Sequence, residues 1–354
     1  MKALVLAGGS GTRLRPFSHS MPKQLIPIAN KPVLTHVLEN LRDLGVREAG
    51  IIVGDRAQHI EQAVGDGSGL GMGITYIPQE KPLGLAHCVS LARPFLGADD
   101  FVMYLGDNML PDGVADIAAE FTARRPDAQV VVHKVDDPRA FGVAELAADG
   151  RVERLVEKPR QPRSDLALVG VYFFTPAIHR AVAAIRPSAR GELEITDAVQ
   201  WLVAHGHDVR ASVYDGYWKD TGRVEDVLEC NQRLLEGLSP RIAGHIDADS
   251  TVEGNVVIEA GARVLASRIE GPAIIGAGAV IEDSYVGPDT CIGADCELRG
   301  TRLTGSIVLE GARIRGVPGL HGSLIGRGSQ VGPSEPRAAH HRIVVGDDTW
   351  IEVA

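Results

Sequence analysis

The sequence predicts an α/β domain built on a mixed, mainly parallel sheet flanked by helices, followed by a left-handed parallel β-helix. In the first two thirds of the chain, short apolar runs alternate with longer segments whose apolar residues recur at three- and four-residue spacing. In the last third, Val- and Ile-led units repeat roughly every six residues. The chain has 354 residues, a length typical of about two domains.

The alternating part of the chain predicts a Rossmann-like arrangement of strands and helices. We expect strands at residues 3–7, 49–53, 74–77, 101–105, 129–133 and 168–174. We expect amphipathic helices at residues 33–44, 56–64, 85–96 and 113–124. This alternation predicts a parallel sheet with helices on both faces, and ligands of such sheets bind beyond the carboxyl ends of the strands.

The composition of the chain changes near Pro240. Of the 16 aromatic residues (7 Phe, 6 Tyr and 3 Trp), only Tyr285 and Trp350 lie beyond residue 240, whereas 18 of the 41 glycines do. An apolar residue followed by Gly or another small residue every six positions is typical of a parallel β-helix, in which each turn stacks aliphatic side chains on the next. The predicted domains are therefore residues 1–238 and 239–354, with a Gly-rich β-meander as the alternative for the second.

Composition and charge exclude several classes of protein. The net charge is −10 and Lys and Arg are scattered, whereas nucleic-acid binding requires a basic face. No apolar run approaches the ~20 residues of a transmembrane helix, and the apolar start is too short for a secretory signal, so we expect a cytoplasmic protein without a membrane partner. Four cysteines are too few for a disulfide framework and complete no zinc pattern, so we expect buried thiols.

A glycine-rich, basic loop follows the first predicted strand at residues 6–16, Leu-Ala-Gly-Gly-Ser-Gly-Thr-Arg-Leu-Arg-Pro. Glycines let the backbone approach an anion, and consecutive N–H groups form an anion-binding nest. No Gly-Lys-Ser/Thr closes the loop as in a Walker A motif, and Lys31 stands where a dinucleotide fingerprint requires an acid. Instead, Arg13 and Lys23 are placed to neutralise a polyphosphate.

Two carboxylates occur in short polar turns. Asp107 ends a predicted strand in Leu-Gly-Asp-Asn (105–108), and Asp220 lies in Trp-Lys-Asp-Thr-Gly (218–222). Either carboxylate alone is also compatible with an ordinary turn residue. Together with the basic loop they could hold Mg²⁺ against phosphates, which predicts phosphoryl-group chemistry such as nucleotidyl transfer.

Several motifs, taken together, resemble the sugar-1-phosphate nucleotidyltransferase family. Besides the loop at 6–16 they are Pro-Lys-Gln-Leu-Ile-Pro (22–27), Gln79 with Pro-Leu-Gly-Leu-Ala (82–86), residues 105–108, Phe-Gly-Val (141–143), Val-Glu-Lys-Pro (156–159), Arg-Gly-Glu-Leu-Glu-Ile-Thr-Asp (190–197) and residues 218–222. The Lys-Gln pair and the run at 190–197 are most similar to the branch that uses dTTP and glucose 1-phosphate, in its long form with a C-terminal β-helix. The resemblance implies Mg²⁺-dependent, direct in-line attack of the sugar phosphate on the α-phosphorus of dTTP, giving dTDP-glucose and pyrophosphate.

The resemblance also implies roles for individual residues. Arg13 and Lys23 would be catalytic: Arg13 would hold the β- and γ-phosphates, and Lys23 would bridge the α-phosphate and the attacking phosphate. Asp107 and Asp220 would bind Mg²⁺. The implied nucleotide-binding residues are Gly8, Gly11, Gln24, Gln79, Gly84 and Asp107. The implied sugar-phosphate-binding residues are Gly142, Glu157, Lys158, Tyr172 and Arg190.

The chain departs from the family pattern in three places, the first two of which are beside the implied sugar site. Phe141 stands where a Tyr is common, Leu-Val-Gly (168–170) replaces a more polar Val-Thr-Gly, and Thr-His-Val (35–37) occurs where aromatics are usual in the short form. The sequence therefore leaves three candidates for the acceptor substrate: glucose 1-phosphate, a modified hexose phosphate and a cyclitol phosphate. The base preference, dTTP over UTP or GTP, depends on the resemblance.

Two other functions are alternatives. An acyltransferase in the β-helix would need a catalytic histidine, and the candidates, none in a recognisable motif, are His245, His321, His340 and His341. A non-catalytic regulatory subunit is disfavoured because both cations and both metal carboxylates of the family are present. The flat, stackable sides of a β-helix predict a homo-oligomer, either a dimer or a tetramer.

Overall fold

The computed structural model of the chain describes residues 1–9, 11–333 and 347–352. These residues form two compact units. The first comprises Met1–Ser10, Met21–Leu25 and Val33–Asp220, and the second comprises Gly11–Ser20, Ile26–Pro32 and Thr221–Ala354. Two short segments near the start of the chain thus group with its C-terminal part, and the domain division at residue 238 stays a prediction.

The first 220 residues carry most of the mixed α/β structure. Their strands are β1 (Lys2–Leu6), β2 (Pro27–Ile28), β3 (Lys31–Pro32), β4 (Glu48–Val53), β5 (Gly73–Pro78), β6 (Phe101–Leu105), β7 (Asn108–Met109), β8 (Ala128–Lys134), β9 (Gly142–Leu146), β10 (Val152–Glu157), β11 (Leu166–Phe174), β12 (Val209–Val213) and β13 (Lys219–Asp220). The α-helices are α1 (Val33–Asp43), α2 (Ala57–Val64), α3 (Leu85–Leu91), α4 (Arg93–Leu96), α5 (Ala115–Arg124), α6 (Ile178–Ala184), α7 (Ile195–Ala204) and, further along, α8 (Val224–Glu236). Of the helices that the structure describes, none is both long and apolar enough to cross a membrane.

A mixed sheet forms the centre of the first unit. Its order is β10-β9-β11-β6-β1-β4-β5, and β8 pairs with both β11 and β12. The parallel pairs are β1 with β4, β1 with β6, β4 with β5 and β8 with β12. The antiparallel pairs are β11 with β6, β11 with β8, β11 with β9 and β10 with β9. Among the described strands of this sheet, β10 and β11 therefore run against the other seven, which confirms a mixed, mainly parallel sheet.

Helices cover both faces of this sheet because side chains alternate along its strands. On β1, Leu4 belongs to one buried apolar cluster, which also contains Val89 of α3. Its neighbour Val5 belongs to the other cluster, which also contains Leu34 of α1. The turns at the carboxyl ends of β1 and β6 therefore follow strands that are buried in the core of the unit.

All six predicted strands are present, with ends within two residues of the prediction. The helix predicted at 85–96 is wrong in one respect, because it is divided into α3 and α4. The cause is Pro94, which has no N–H to donate to the carbonyl of Ser90 one turn earlier. β9, β10, β12, α6 and α7 lie outside the predicted elements.

The second unit carries three parallel sheets that form the predicted left-handed β-helix. The strands of these three sheets are β14 (Arg241–Ile242), β15 (His245–Ile246), β16 (Thr251–Glu253), β17 (Val256–Ile258), β18 (Arg263–Leu265), β19 (Arg268–Glu270), β20 (Ala273–Ile275), β21 (Val280–Glu282), β22 (Tyr285–Val286), β23 (Thr290–Ile292), β24 (Glu297–Arg299), β25 (Arg302–Thr304), β26 (Ile307–Val308), β27 (Arg313–Arg315), β28 (Leu320–His321), β29 (Leu324–Ile325) and β30 (Gln330–Val331). Within this described part, every third strand pairs in parallel along the coil. The alternative of a loose meander is therefore excluded for these residues.

One turn of the coil is slightly shorter than three six-residue repeats. Ile275 and Ile292 are register partners, 17 positions apart. Between them the fully buried aliphatics Ile281 and Val286 divide the turn into steps of six, five and six. The five-residue step passes through Asp283, whose φ of 47° turns the chain in fewer residues.

Helix α8 and the β2–β3 hairpin pack on one face of the coil. Asn231 of α8 is fully buried, accepts a hydrogen bond from the backbone N–H of Ala29 at 2.9 Å and donates to the carbonyl of Asp289 at 3.1 Å. Asn30 donates to the carbonyl of Ile292 at 2.7 Å. These hydrogen bonds explain why the hairpin groups with the β-helix.

Candidate active site

The turn after β1 brings two glycines against side chains from distant parts of the sequence. A methyl group on Gly8 would lie 3.4 Å from Gln79 Oε1, and one on Gly9 would lie 3.5 Å from Lys23 Cε. Gly54, which the motifs did not include, provides the space for this turn, since a methyl group there would lie 2.9 Å from the carbonyl oxygen of Gly8. Gly8, a predicted nucleotide-binding residue of the first loop, therefore lies beside Gln79, another predicted nucleotide-binding residue.

Lys23 and Asp107 form an ion pair at the same edge of the sheet. Lys23 lies in the short 3₁₀ turn Lys23–Leu25, and Asp107 follows β6. Lys23 Nζ donates to Asp107 Oδ2, and the two side chains are 15% and 11% exposed. Both charges are thus largely removed from water. Their attraction is therefore stronger than that of an ion pair at the protein surface.

The side chain of Gln24 is buried with an unsatisfied acceptor. Gln24 is 1% exposed, and its Oε1 accepts no hydrogen bond from any described residue. Gln79 is also buried, and its Nε2 lies 3.1 Å from Nδ1 of His87. Because a buried unsatisfied oxygen destabilises the protein, the site of Gln24 is one where a ligand could complete the hydrogen bonding.

Gly84, at the start of α3, allows the backbone to approach Leu193 closely. Its φ is 105°, and a methyl group would lie 2.7 Å from the backbone nitrogen of Leu193 and closer still to its carbonyl oxygen. The N–H of Ala86 donates to that carbonyl at 3.0 Å. Only glycine permits this close approach of two chain segments beside the predicted base site.

Strands β7 and β13 place Asp220 beside Asp107. In this two-residue ladder, Asp220 is the register partner of Asn108, the residue that follows Asp107. Mg²⁺ is commonly bound by one or two carboxylates, with water and substrate phosphates completing its shell, so this donor set fits the ion. No group of three or more His, Cys, Asp or Glu ligands occurs among the described residues, and the fit depends on these two carboxylates.

Asn108 and Trp218 connect β7 with the residue before β13, a contact that the sequence motifs did not reveal. Trp218 Nε1 donates to Asn108 Oδ1 at 2.7 Å. Asn108 Nδ2 in turn donates to Asp107 Oδ1 in a long hydrogen bond of 3.4 Å. The indole ring packs edge-on against Phe141, with 5.2 Å between ring centroids.

Glu157 is the centre of a polar cluster at the predicted sugar site. Its Oε1 accepts from Arg190 at 3.3 Å and lies 3.7 Å from Lys158 Nζ. Its Oε2 accepts from the hydroxyl of Thr196 at 3.2 Å, a residue to which the sequence assigned no role. Gly142, its register partner on β9, leaves room for this carboxylate, since a methyl group there would lie 3.2 Å from Oε2.

Two further titratable groups lie near this cluster. Tyr172 of β11 is buried, with its ring stacked on Phe174 at 5.8 Å between centroids. Burial, and secondarily the charge of Glu157, raises the pKa of the Tyr172 hydroxyl. Burial also raises the pKa of the Glu194 carboxyl, which accepts from the Ser188 hydroxyl at 2.8 Å.

Arg13 and Gly11 belong to the second unit, whereas the other predicted site residues belong to the first. Gly11, with φ of 64°, begins the 3₁₀ turn Thr12–Leu14. Arg13 lies against Gly222, where a methyl group would lie 2.7 Å from a guanidinium nitrogen. The structure thus brings the arginine of the first loop against the glycine of the motif at 218–222.

The histidines proposed for acyl transfer are scattered where they are described. His245 and His321 are exposed and lie on β15 and β28, and His321 Nδ1 is 2.8 Å from the hydroxyl of Thr304. His340 and His341 lie outside the described residues. All four cysteines are buried free thiols, as predicted.

Comparisons with known proteins agree with the motifs. The family described as Nucleotidyl transferase matches residues 2–237. Two proteins named glucose-1-phosphate thymidylyltransferase, from Streptomyces griseus and Streptomyces antibioticus, are each 56% identical to this chain; the alignments cover 100% of this chain and 100% and 99% of the two relatives. A solved structure described as a candidate glucose-1-phosphate thymidylyltransferase from Bacillus anthracis, in complex with sucrose, is 33% identical, covers 65% of this chain and 94% of its own, and superposes with a TM-score of 0.61.

The family match spans the first strand to the end of α8, and the similarity to the Streptomyces proteins continues through the β-helix. The resemblance inferred from the motifs is therefore confirmed. The chain is an enzyme of the nucleotidyl transferase family.

Proposed function

We propose that the protein transfers the thymidylyl group of dTTP to glucose 1-phosphate in a Mg²⁺-dependent reaction, giving dTDP-glucose and pyrophosphate. The observation that carries this proposal is the largely buried Lys23–Asp107 pair against the glycine turn after β1. It occurs in a chain that is 56% identical over its full length to proteins named glucose-1-phosphate thymidylyltransferase.

The proposed chemistry is a direct displacement at phosphorus. A phosphate oxygen of glucose 1-phosphate bonds to the α-phosphorus of dTTP, while the bond from that phosphorus to the bridging oxygen breaks and pyrophosphate leaves. Such a reaction needs no protein nucleophile, so positioning and charge stabilisation carry the catalysis. Lys23, held by Asp107, supplies a cation for the α-phosphate and the attacking phosphate, and the turn at Gly8 and Gly9 lets its backbone approach phosphate oxygens.

Asp107 and Asp220 are the residues proposed to hold Mg²⁺. When bound, the ion would neutralise phosphate charge and favour departure of pyrophosphate. Lys23 donates to Asp107 Oδ2 and so orients that carboxylate. Arg13 keeps the role that the motif implies, as the cation for the β- and γ-phosphates, and Gly11 that of a backbone contact to the nucleotide.

The preference for thymine rests on two amide side chains. A carboxamide can accept from the N3–H of thymine and donate to a ring carbonyl. Gln24 suits this role because its buried Oε1 accepts no hydrogen bond from the part of the chain that the structure describes. Gln79 adds a second amide beside Gly8. Uracil presents the same edge as thymine, so UTP is the alternative nucleotide.

The acceptor site is proposed to be the cluster around Glu157. This carboxylate can accept from hexose hydroxyls, and Arg190 and Thr196 hold it in one orientation. Lys158 and Arg190, which both pair with Glu157, are the cations proposed to contact the sugar phosphate. Phe141 offers no hydroxyl next to this cluster, so a modified hexose or a cyclitol phosphate is the alternative acceptor.

A matrix of substrates tests the proposal. We expect Mg²⁺-dependent pyrophosphate release to be highest with dTTP and glucose 1-phosphate when dTTP, UTP, GTP, CTP and ATP are each combined with several sugar 1-phosphates. Highest release with UTP or GTP, or with another acceptor, would contradict the assigned substrates and leave the chemistry intact. No release with any pair would contradict the proposed reaction.

We also propose that the protein is a cytoplasmic homo-oligomer, with the stacked strands of the β-helix supporting subunit contacts. Light scattering at micromolar protein is expected to give a mass of two or four times the 37.7 kDa of one chain. A single species at the mass of one chain would contradict this expectation.

A further inference from the structure

We infer that Trp218 and Asn108 are positioning residues that hold Asp107 and Asp220 in the arrangement that binds Mg²⁺. The inference rests on the proposed function, because it concerns the same two carboxylates.

The backbone ladder between the two carboxylates is too short to fix their spacing. β7 and β13 pair only through Asn108 with Asp220 and Met109 with Lys219. Short isolated strand pairs are marginally stable, so side chains must hold these strands together. The hydrogen bond from Trp218 to Asn108 crosses between the same two chain segments and adds that constraint.

The side-chain hydrogen bonds form a directed chain that ends on Asp107. The indole N–H of Trp218 donates to Asn108 Oδ1 at 2.7 Å, and Asn108 Nδ2 donates to Asp107 Oδ1 at 3.4 Å. A donor on the amide oxygen polarises the amide and strengthens its own donation. Lys23 donates to the other oxygen, Oδ2, so that the plane of the Asp107 carboxylate is set from both sides.

Packing keeps both members of this chain in place. The ring of Trp218 contacts Phe141 edge-on, and its centroid lies 5.8 Å from that of His133. Asn108 is 3% exposed, and Gly170, with φ of 83°, lies so close that a methyl group there would be 3.1 Å from Asn108 Nδ2. The amide therefore has one orientation, and the indole N–H determines which of its ends faces Asp107.

Trp218→Phe removes the hydrogen bond from Trp218 to Asn108 but keeps an aromatic ring at this position. The phenyl ring can still contact Phe141, but the donor to Asn108 is lost. We expect the affinity for Mn²⁺ in the presence of dTTP, measured by electron paramagnetic resonance of free Mn²⁺, to fall roughly three- to tenfold, the scale of one neutral hydrogen bond. The Mg²⁺ concentration for half-maximal pyrophosphate release should rise by a similar factor.

Trp201→Phe is the matched control, because this tryptophan lies on α7 with its ring stacked on His205. It should bind Mn²⁺ as the wild type does. Asn108→Ala should weaken Mn²⁺ binding to a similar extent as Trp218→Phe, and the double variant should show no further loss, since both changes break one chain of hydrogen bonds.

Unchanged Mn²⁺ affinity in folded Trp218→Phe, or losses that add in the double variant, would overturn the inference. Circular dichroism and thermal unfolding of each variant establish that it is folded. Failure of the proposed function is distinguishable, since it would show as a wild-type protein that binds Mn²⁺ with dTTP but releases no pyrophosphate.

Discussion

Asp107→Asn is expected to lower turnover by roughly two to three orders of magnitude, the scale observed when one electrostatic group is removed from an active site. The substitution preserves the shape of the side chain but removes the charge that pairs with Lys23 and is proposed to bind Mg²⁺. Because asparagine can still accept a hydrogen bond from the lysine, the fold should survive.

Pyrophosphate release at several Mg²⁺ concentrations measures the loss, and circular dichroism checks the fold. Asp116→Asn is the control, since Asp116 is exposed in the first turn of α5 and should be dispensable for turnover. A folded Asp107→Asn protein with turnover close to that of the wild type would show that Asp107 is not part of the metal site.

Gly84→Ala is expected to lower the free energy of unfolding by about 3 kcal/mol, since overpacking and a strained φ each cost on the order of 1–3 kcal/mol. The added methyl group would meet backbone atoms of Leu193, which cannot rotate away as a side chain could. The φ of 105° is a second source of strain for any residue with a Cβ.

Urea unfolding measures this effect through the transition midpoint. Gly69→Ala is the matched control, because Gly69 is exposed and a methyl group there would have no atom within 4 Å. Equal midpoints for Gly84→Ala and Gly69→Ala would contradict the close approach of Gly84 and Leu193.

The parts of the fold that were predictable are those encoded by local apolar patterns. β6, for example, is an uninterrupted apolar run in a sheet covered on both sides, so its ends at Phe101 and Leu105 match the prediction. The aliphatic repeat likewise predicted the β-helix. It did not reveal the five-residue corner at Asp283, because the length of a turn depends on backbone conformation there and not on the apolar period.

The candidate site was predictable as a set of residues and not as a set of contacts. The motifs included both Lys23 and Asp107, but these residues are 84 positions apart, and their pairing depends on the fold, which places the turn Lys23–Leu25 beside the residue that follows β6. The contact between Trp218 and Asn108 spans 110 positions and depends on the β7–β13 ladder. Two-residue strands leave no periodic signal in a sequence, so this contact could not be predicted.

The most direct test of the proposed reaction is ³¹P nuclear magnetic resonance of the wild-type protein with Mg²⁺ and dTTP, before and after glucose 1-phosphate is added. We expect no change with dTTP alone, and then dTDP-glucose and pyrophosphate in equal amounts once the sugar phosphate is present. Pyrophosphate formed from dTTP alone, or the absence of dTDP-glucose after both substrates are present, would contradict thymidylyl transfer to glucose 1-phosphate.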